Sequence, residues 1–368
     1  DAWIKDSQGR DVVRFSDSPL HVVSYSSPVN AKLPFEELRH HLHTLPDLPN
    51  AIPYRTSYYQ KDWGFCVTQS QYHTLCESSG ELHVFVDSEF EPKGNMVSGE
   101  LAIPGETRDE YLVSTYICHP AMANDNLSGV IAAMMLAQDC IDEGPAHVGW
   151  RFAFVPETIG ALAYLSDHEQ DLSAVKGGFV LSCCGGKGPL GYKASFQGDS
   201  LTDRAVEVAF RDLGIEPLRY PFLPTGSDER QYSSPGFRIP MTTVCKDKYH
   251  EYREYHTSLD NLEFVTGEQI LAALEVYRSA AHILGHNRTY LSLCQKGEPQ
   301  LGRRDLYPKT GGGNNQPANT KQDSGSQQAS VEALSWALFL ADGKNDLLTV
   351  AEKSGLPFDE LLNVFSKL

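Results

Sequence analysis

The chain has 368 residues, of which 41% are hydrophobic, and a formal net charge of −17. That apolar share supplies a sizeable core, for one large domain or two to three smaller ones, and excludes global disorder. No run approaches the ~18 apolar residues of a membrane span, and so acidic a surface repels phosphate backbones, which argues against nucleic acid as the main partner.

Residues 1–17 read as a short ribbon: Ala2-Trp3-Ile4-Lys5, a turn at Asp6-Ser-Gln-Gly9, then Val12-Val13-Arg14-Phe15. It is expected to belong to the catalytic domain. Residues 18–107 read as a small β-rich domain, with strand signals at Leu20–Tyr25, Trp63–Val67, Glu81–Val86, Met96-Val97 and Glu100–Ile103. A short helical stretch, Pro34–Leu42, interrupts them, and the three prolines of Leu45–Pro53 enforce extended chain. Residues 108–308 alternate, which predicts an α/β sandwich on a mostly parallel sheet. Its strands are Tyr111–Cys118, Trp150–Val155, Gly178–Ser182 and Met241–Val244; its helices are Ser128–Cys140, Leu162–Asp171, Asp203–Leu213 and Glu268–Leu284. Residues 309–329, rich in Gly, Gln and Asn, read as a linker. Residues 330–368 show three helical patterns of a helix-turn-helix or winged-helix unit. Residues 331–368 hold three lysines, no arginine and six acids, so the footprint of a DNA reader is missing and a packing or homo-oligomerisation role is favoured.

The chain begins at Asp1 without Met or a signal-like segment, which is compatible with trimming. None of the eight cysteines forms a CxxC pair, and several sit in apolar text, as expected of a reducing, cytoplasmic setting.

Four polar clusters fall at the ends of predicted strands. They are His119 with Asp125; Glu157 in Val155-Pro-Glu-Thr-Ile-Gly160; Asp228 in Thr225-Gly-Ser-Asp-Glu-Arg230; and His256 in Tyr255-His-Thr-Ser-Leu-Asp260. Parallel strands deliver their carboxyl ends to one edge, so these loops can meet. Two imidazoles and a carboxylate satisfy zinc with a position left for water. A nearby glutamate can take a proton from that water and pass it to a leaving amine, a role that suits Glu157. Plain structural readings stand beside these. Asp125 could cap the helix near Leu127, Glu157 could be a solvated first-turn residue, and Asp260 could be an ordinary loop acid.

The run His119 then Ala123-Asn-Asp-Asn-Leu-Ser-Gly129 resembles the metal-binding signature of the zinc aminopeptidase superfamily, which includes leucyl aminopeptidases and glutaminyl cyclases. Glu157-Thr-Ile-Gly160, Ser227-Asp228 and Tyr255-His-Thr-Ser-Leu-Asp260 resemble its later motifs in the same order. The whole chain is similar to a narrower bacterial group of aminopeptidase-like proteins with a C-terminal winged helix. The resemblance implies zinc ligands His119, Asp125 and His256, and a general base at Glu157. Two acids of the two-zinc members are replaced, by Thr158 and by the text Ser182-Cys183-Cys184. One zinc is therefore favoured over two, with Cys183 or Cys184 as an unusual ligand or a degraded site as the alternatives. Asp228 and Arg55 are candidates for substrate or metal contact, and Tyr255 or Tyr249 for a hydrogen bond to the oxyanion. Tyr54–Tyr59 and Trp63 offer further substrate contacts. The expected activity is zinc-dependent cleavage of an amide in a small peptide or aminoacyl compound. The alternatives are a one-zinc acyl-transfer or cyclising enzyme, and a non-catalytic metal-binding scaffold.

Overall fold

The computed structural model describes the chain except residues 59, 145, 305 and 307–330. The expected linker at 309–329 lies outside the described residues.

A seven-stranded sheet carries the molecule. Its order is Leu218–Tyr220, Gly191–Lys193, Met241–Cys245, Val175–Val180, Glu110–Tyr116, Gly149–Val155, Gly99–Ile103. The four strands from Met241–Cys245 to Gly149–Val155 run parallel. Such strands are covered on both faces, and the text Tyr111-Leu-Val-Ser-Thr-Tyr116 shows why: a continuous buried run replaces alternation. Tyr111 and Val113 pack towards the helices Gly129–Glu143, Leu201–Asp212 and Gly267–His286. Leu112 packs on the other face with the helix Ile159–Asp167. The expected α/β sandwich with a mostly parallel sheet is therefore present.

Two expected boundaries shift. The ribbon at 1–17 does not join the large sheet. Ala2–Lys5 pairs with Asp11–Arg14 on one side and Leu82–Val86 on the other, in a four-stranded antiparallel sheet completed by Val29–Leu33. Ala2 and Ile4 point into that sheet's core, while Trp3 stacks on Phe85 at 5.1 Å. Conversely, Gly99–Ile103, expected in the small domain, is the antiparallel edge of the large sheet, paired with Gly149–Val155. Leu20–Tyr25, expected as a strand, opens as a tight turn at Pro19–His21 because Ser18 accepts the Leu20 amide and Pro19 presets the turn. A helix at Gln69–Glu77 had no apolar period to announce it; Thr68 and Gln71 close a reciprocal capping box at its start.

The C-terminal unit contains the three expected helices, Val331–Leu340, Leu347–Ser354 and Phe358–Phe365. Its wing pairs Asp342–Asp346 with Thr289–Leu291, so the unit draws in a strand well before the expected boundary at 330. It docks on the helix Leu201–Asp212. Arg211 donates to the carbonyls of Ala351 and Leu356 at 2.8 and 2.7 Å, and Arg204 pairs with Glu352. Among the described residues, no helix is long and apolar enough to cross a membrane. All eight cysteines are free thiols.

Candidate metal and catalytic site

The carboxyl ends of the parallel strands share one rim. His119 follows Glu110–Tyr116, Glu157 follows Gly149–Val155, and Cys183 follows Val175–Val180. The loop Ala123–Ser128 is held against two strand ends by Asn126. Its Nδ2 donates to Thr115 Oγ1, the Tyr116 carbonyl and the Leu181 carbonyl at 2.8, 3.0 and 3.3 Å. The Asp125–Asn126 peptide is cis. Gly129 then opens the helix so close to the sheet that a Cβ there would sit 2.3 Å from the Leu181 oxygen, a place only glycine fits.

This loop places Asp125, 1% exposed, beneath two imidazoles. Asp125 Oδ2 lies 3.0 Å from His256 Nε2 and 4.0 Å from His119 Nε2. The ligand atoms of His119, Asp125 and His256 all fall within 4.8 Å of one another. Neither Asp125 Oδ2 nor His256 Nε2 has a hydrogen-bond partner, although both are buried and close; their alignment is wrong for a hydrogen bond. A buried carboxylate oxygen and a buried imidazole nitrogen facing each other unpaired cost free energy, which a cation between them would remove. The two separations from Asp125 match ligands roughly 3–4 Å apart around one tetrahedral zinc. The residues fit such an ion.

Electrostatics agree. Burial pushes the Asp125 carboxyl up, but His256, His119 and the Tyr116 hydroxyl outweigh it and hold the group below the ordinary value. Tyr116 donates to Asp125 Oδ1, which fixes the carboxylate's orientation and turns Oδ2 to the imidazoles.

The His256 loop is set from two sides. Its ring stacks on Tyr255 at 3.9 Å and meets Tyr54 edge-on at 5.1 Å. The Tyr54 amide donates to the His256 carbonyl at 2.8 Å, and Ser258 and Ile52 exchange two hydrogen bonds at 2.9 Å. His256, Thr158 and Cys183 all adopt positive φ, at 53°, 64° and 53°. Non-glycine residues in that region cost about 1 kcal/mol or more, and such strain concentrates at functional sites.

Glu157 stands beside the trio. Its Oε1 accepts from Ser227 Oγ at 2.7 Å, and its Oε2 lies 3.7 Å from His119 Nε2. Asp228 turns away: Oδ1 accepts the Thr158 amide at 2.7 Å, so it braces the turn that carries Glu157. Cys183 is also outside the trio. It is fully buried with Cys245 and Tyr249, and burial, then the Asp125 charge, pushes its thiol well up. As a neutral thiol it reads as core. Arg55 and Trp63 line a separate recess of about 350 Å³, where Trp63 stacks on His41 at 3.8 Å. Tyr249 accepts from the buried Lys193 at 2.8 Å, which leaves its O–H as a donor.

Over the site opens a cleft of about 730 Å³, lined among others by Tyr54, Tyr58, His119, Glu157, Ile159 and Arg230. Arg230 and Tyr116 carry no motif of their own in the sequence, and nothing local in the closing motif tells what its last residue, Asp260, holds. Yet Asp260 is fully buried and accepts the amides of Asn124 and Asp125 at 2.5 and 2.9 Å.

The sheet, the loops at its rim and the appended wing define an aminopeptidase-like α/β protein with a C-terminal winged helix. The chain belongs to the family described as Domain of unknown function (DUF4910), whose profile matches residues 24–287. A winged helix-turn-helix profile matches residues 288–368, which includes the early wing strand. A Clostridium acetobutylicum protein is 40% identical over 358 residues, 97% of this chain and 79% of that protein; its name refers to polysaccharide biosynthesis and an aminopeptidase-like domain. A crystal structure from the same organism, described provisionally as a peptidase, superposes with TM-score 0.88 and 37% identity, over 100% of this chain and 80% of that one. BSAP, a zinc aminopeptidase from Bacillus subtilis, superposes with TM-score 0.55 and 15% identity, over 77% and 81% of the two chains, which is a likeness of fold.

Proposed function

We propose that the protein is a hydrolase that cleaves an amide beside the free amine of a small peptide or aminoacyl compound, with one zinc held by His119, Asp125 and His256. The ion would supply Lewis acidity and lower the pKa of a bound water. The supporting observation is the setting of Glu157. Ser227 occupies one carboxylate oxygen and leaves Oε2 free beside the trio, open to the cleft. That oxygen takes a proton from the attacking water and returns it to the departing nitrogen.

Tyr255, stacked on His256, has its hydroxyl pushed well above the ordinary value by burial, then by the Asp125 charge. It stays protonated and serves as a donor to the oxyanion. Tyr54 and Tyr58 wall the cleft, and Arg230 supplies a cation for a carboxylate further along the substrate. The acidic surface favours approach of a free amine.

Zinc per purified chain, with product masses from a panel of aminoacyl amides, tests this reading. One equivalent of zinc that His119→Ala loses, and a hydrolytic product, are expected. Glu157→Gln should retain the metal and lose turnover. Unchanged hydrolysis in that variant removes the base from Glu157; a product lighter by water points instead to cyclisation.

A further inference from the structure

Far from the cleft, two histidines one helical turn apart end the long helix Gly267–His286. His282 and His286 project from the same face, with ring centroids 4.3 Å apart. The end of a second helix, Gly129–Glu143, brings Glu143 against them. Glu143 Oε1 lies 3.3 Å from His282 Nδ1 and 3.9 Å from His286 Nε2. The three ligand atoms fall within 4.8 Å of one another.

The remaining ring nitrogens decide what this cluster can do. His286 Nδ1 lies 2.9 Å from the His282 carbonyl. A carbonyl only accepts, so that nitrogen carries the proton and Nε2 keeps a bare lone pair. His282 Nε2 lies 2.9 Å from Asp359 Oδ1. Glu143 Oε1 is a second carboxylate, 3.3 Å from Nδ1, but the contact with Asp359 is the shorter, so a neutral His282 carries its proton on Nε2 and leaves Nδ1 bare. Both lone pairs turn to the same carboxylate. This is how metal-binding imidazoles are prepared: the distal nitrogen donates to a carbonyl or a carboxylate, which fixes the tautomer and raises the basicity of the other.

We propose that His282 Nδ1, His286 Nε2 and Glu143 Oε1 form a second metal site, for a divalent first-row transition ion of the zinc or nickel kind. Two nitrogens and one oxygen suit that class, and the half-exposed position leaves room for water to complete the shell. Asp359 begins the helix Phe358–Phe365 of the C-terminal unit, and Phe358 lies edge-on to the His282 ring at 6.3 Å. An ion drawing charge from His282 strengthens the Nε2 hydrogen bond to Asp359. The site thereby ties the winged helix to the long helix of the large domain.

The test is titration of the full-length chain, stripped with a chelator, with zinc alone in a calorimeter. The wild type is expected to show a binding step that His286→Ala lacks, while the fold of the variant, read by circular dichroism, is unchanged. Glu143→Gln, at an exposed helix end, should weaken the same step, and Asp359→Asn should weaken it about 10-fold. His119→Ala, which removes a ligand of the other centre, should leave it intact. Identical stoichiometry and affinities in the wild type, His286→Ala and Glu143→Gln would overturn the proposal, as would a His119→Ala chain that shows no binding step at all. A doubly protonated His282 bridging Glu143 and Asp359 needs no ion and would give that negative result.

Discussion

The carboxylate of Asp260 receives the backbone amide of Asp125 at 2.9 Å, across 135 positions of sequence. Its other oxygen takes the amide of Asn124. One buried side chain thus sets the level of the loop that carries the central carboxylate of the trio. An asparagine there offers one acceptor instead of two. Asp260→Asn is therefore expected to lower zinc affinity at the trio by about 10–100-fold, as loss of an outer partner commonly does. Competition with a chromogenic chelator measures it.

Ser227 restrains the proposed base through a single hydroxyl. Ser227→Ala should leave zinc content unchanged and lower kcat by up to about 100-fold, because a small misplacement of a reacting group is costly. Steady-state kinetics on an aminoacyl amide, beside elemental analysis, checks both halves.

Asp228 predicts a pH effect on stability. Burial, then the charges of Glu157 and Glu229, pushes its carboxyl up to about 8, against the opposing Thr158 amide. The folded value exceeds the unfolded one of 3.8. Its contribution is therefore complete below about pH 4 and is lost as pH rises through about 8. Asp228→Asn keeps an acceptor for Thr158 and removes the titration. Relative to wild type it should gain up to roughly 1 kcal/mol per pH unit inside that window. Urea midpoints at pH 5, 7 and 9 would show the difference widening; parallel curves would remove the effect.

Arg211 closes the carbonyl ends behind the helix Leu347–Ser354 by donating to Ala351 and Leu356. Arg211→Ala leaves those acceptors without their partner and should destabilise docking of the C-terminal unit by about 1–3 kcal/mol. Urea unfolding followed by Trp336 fluorescence reads the loss.

Much of the centre was legible from the chain because its parts are local. An apolar run broken at His119, a tight Asn-Asp-Asn loop and Gly129 announce a strand, a turn and a helix in order. What stayed hidden is what no local pattern encodes. Asp260 acts through the backbone of residues distant in sequence. The strand Ala2–Lys5 finds its partner at Leu82–Val86, and Gly99–Ile103 finds its own at Gly149–Val155. Pairing across such gaps is decided by which faces remain to be buried, and short strands of mixed polarity do not reveal it. The helix Gln69–Glu77 differs: its capping box is local and readable, but with Leu75 as its one buried residue it has no apolar period to read.

The N-terminal part of the chain and the rim of the large sheet are joined at Ile52 and Tyr54, whose main chain is stitched to the loop of His256. A truncation beginning at residue 108 would keep every proposed ligand and still expose one flank of a histidine. Anyone trimming this protein for crystals or for engineering should treat the first hundred residues as part of the furnace wall rather than as an ornament on it.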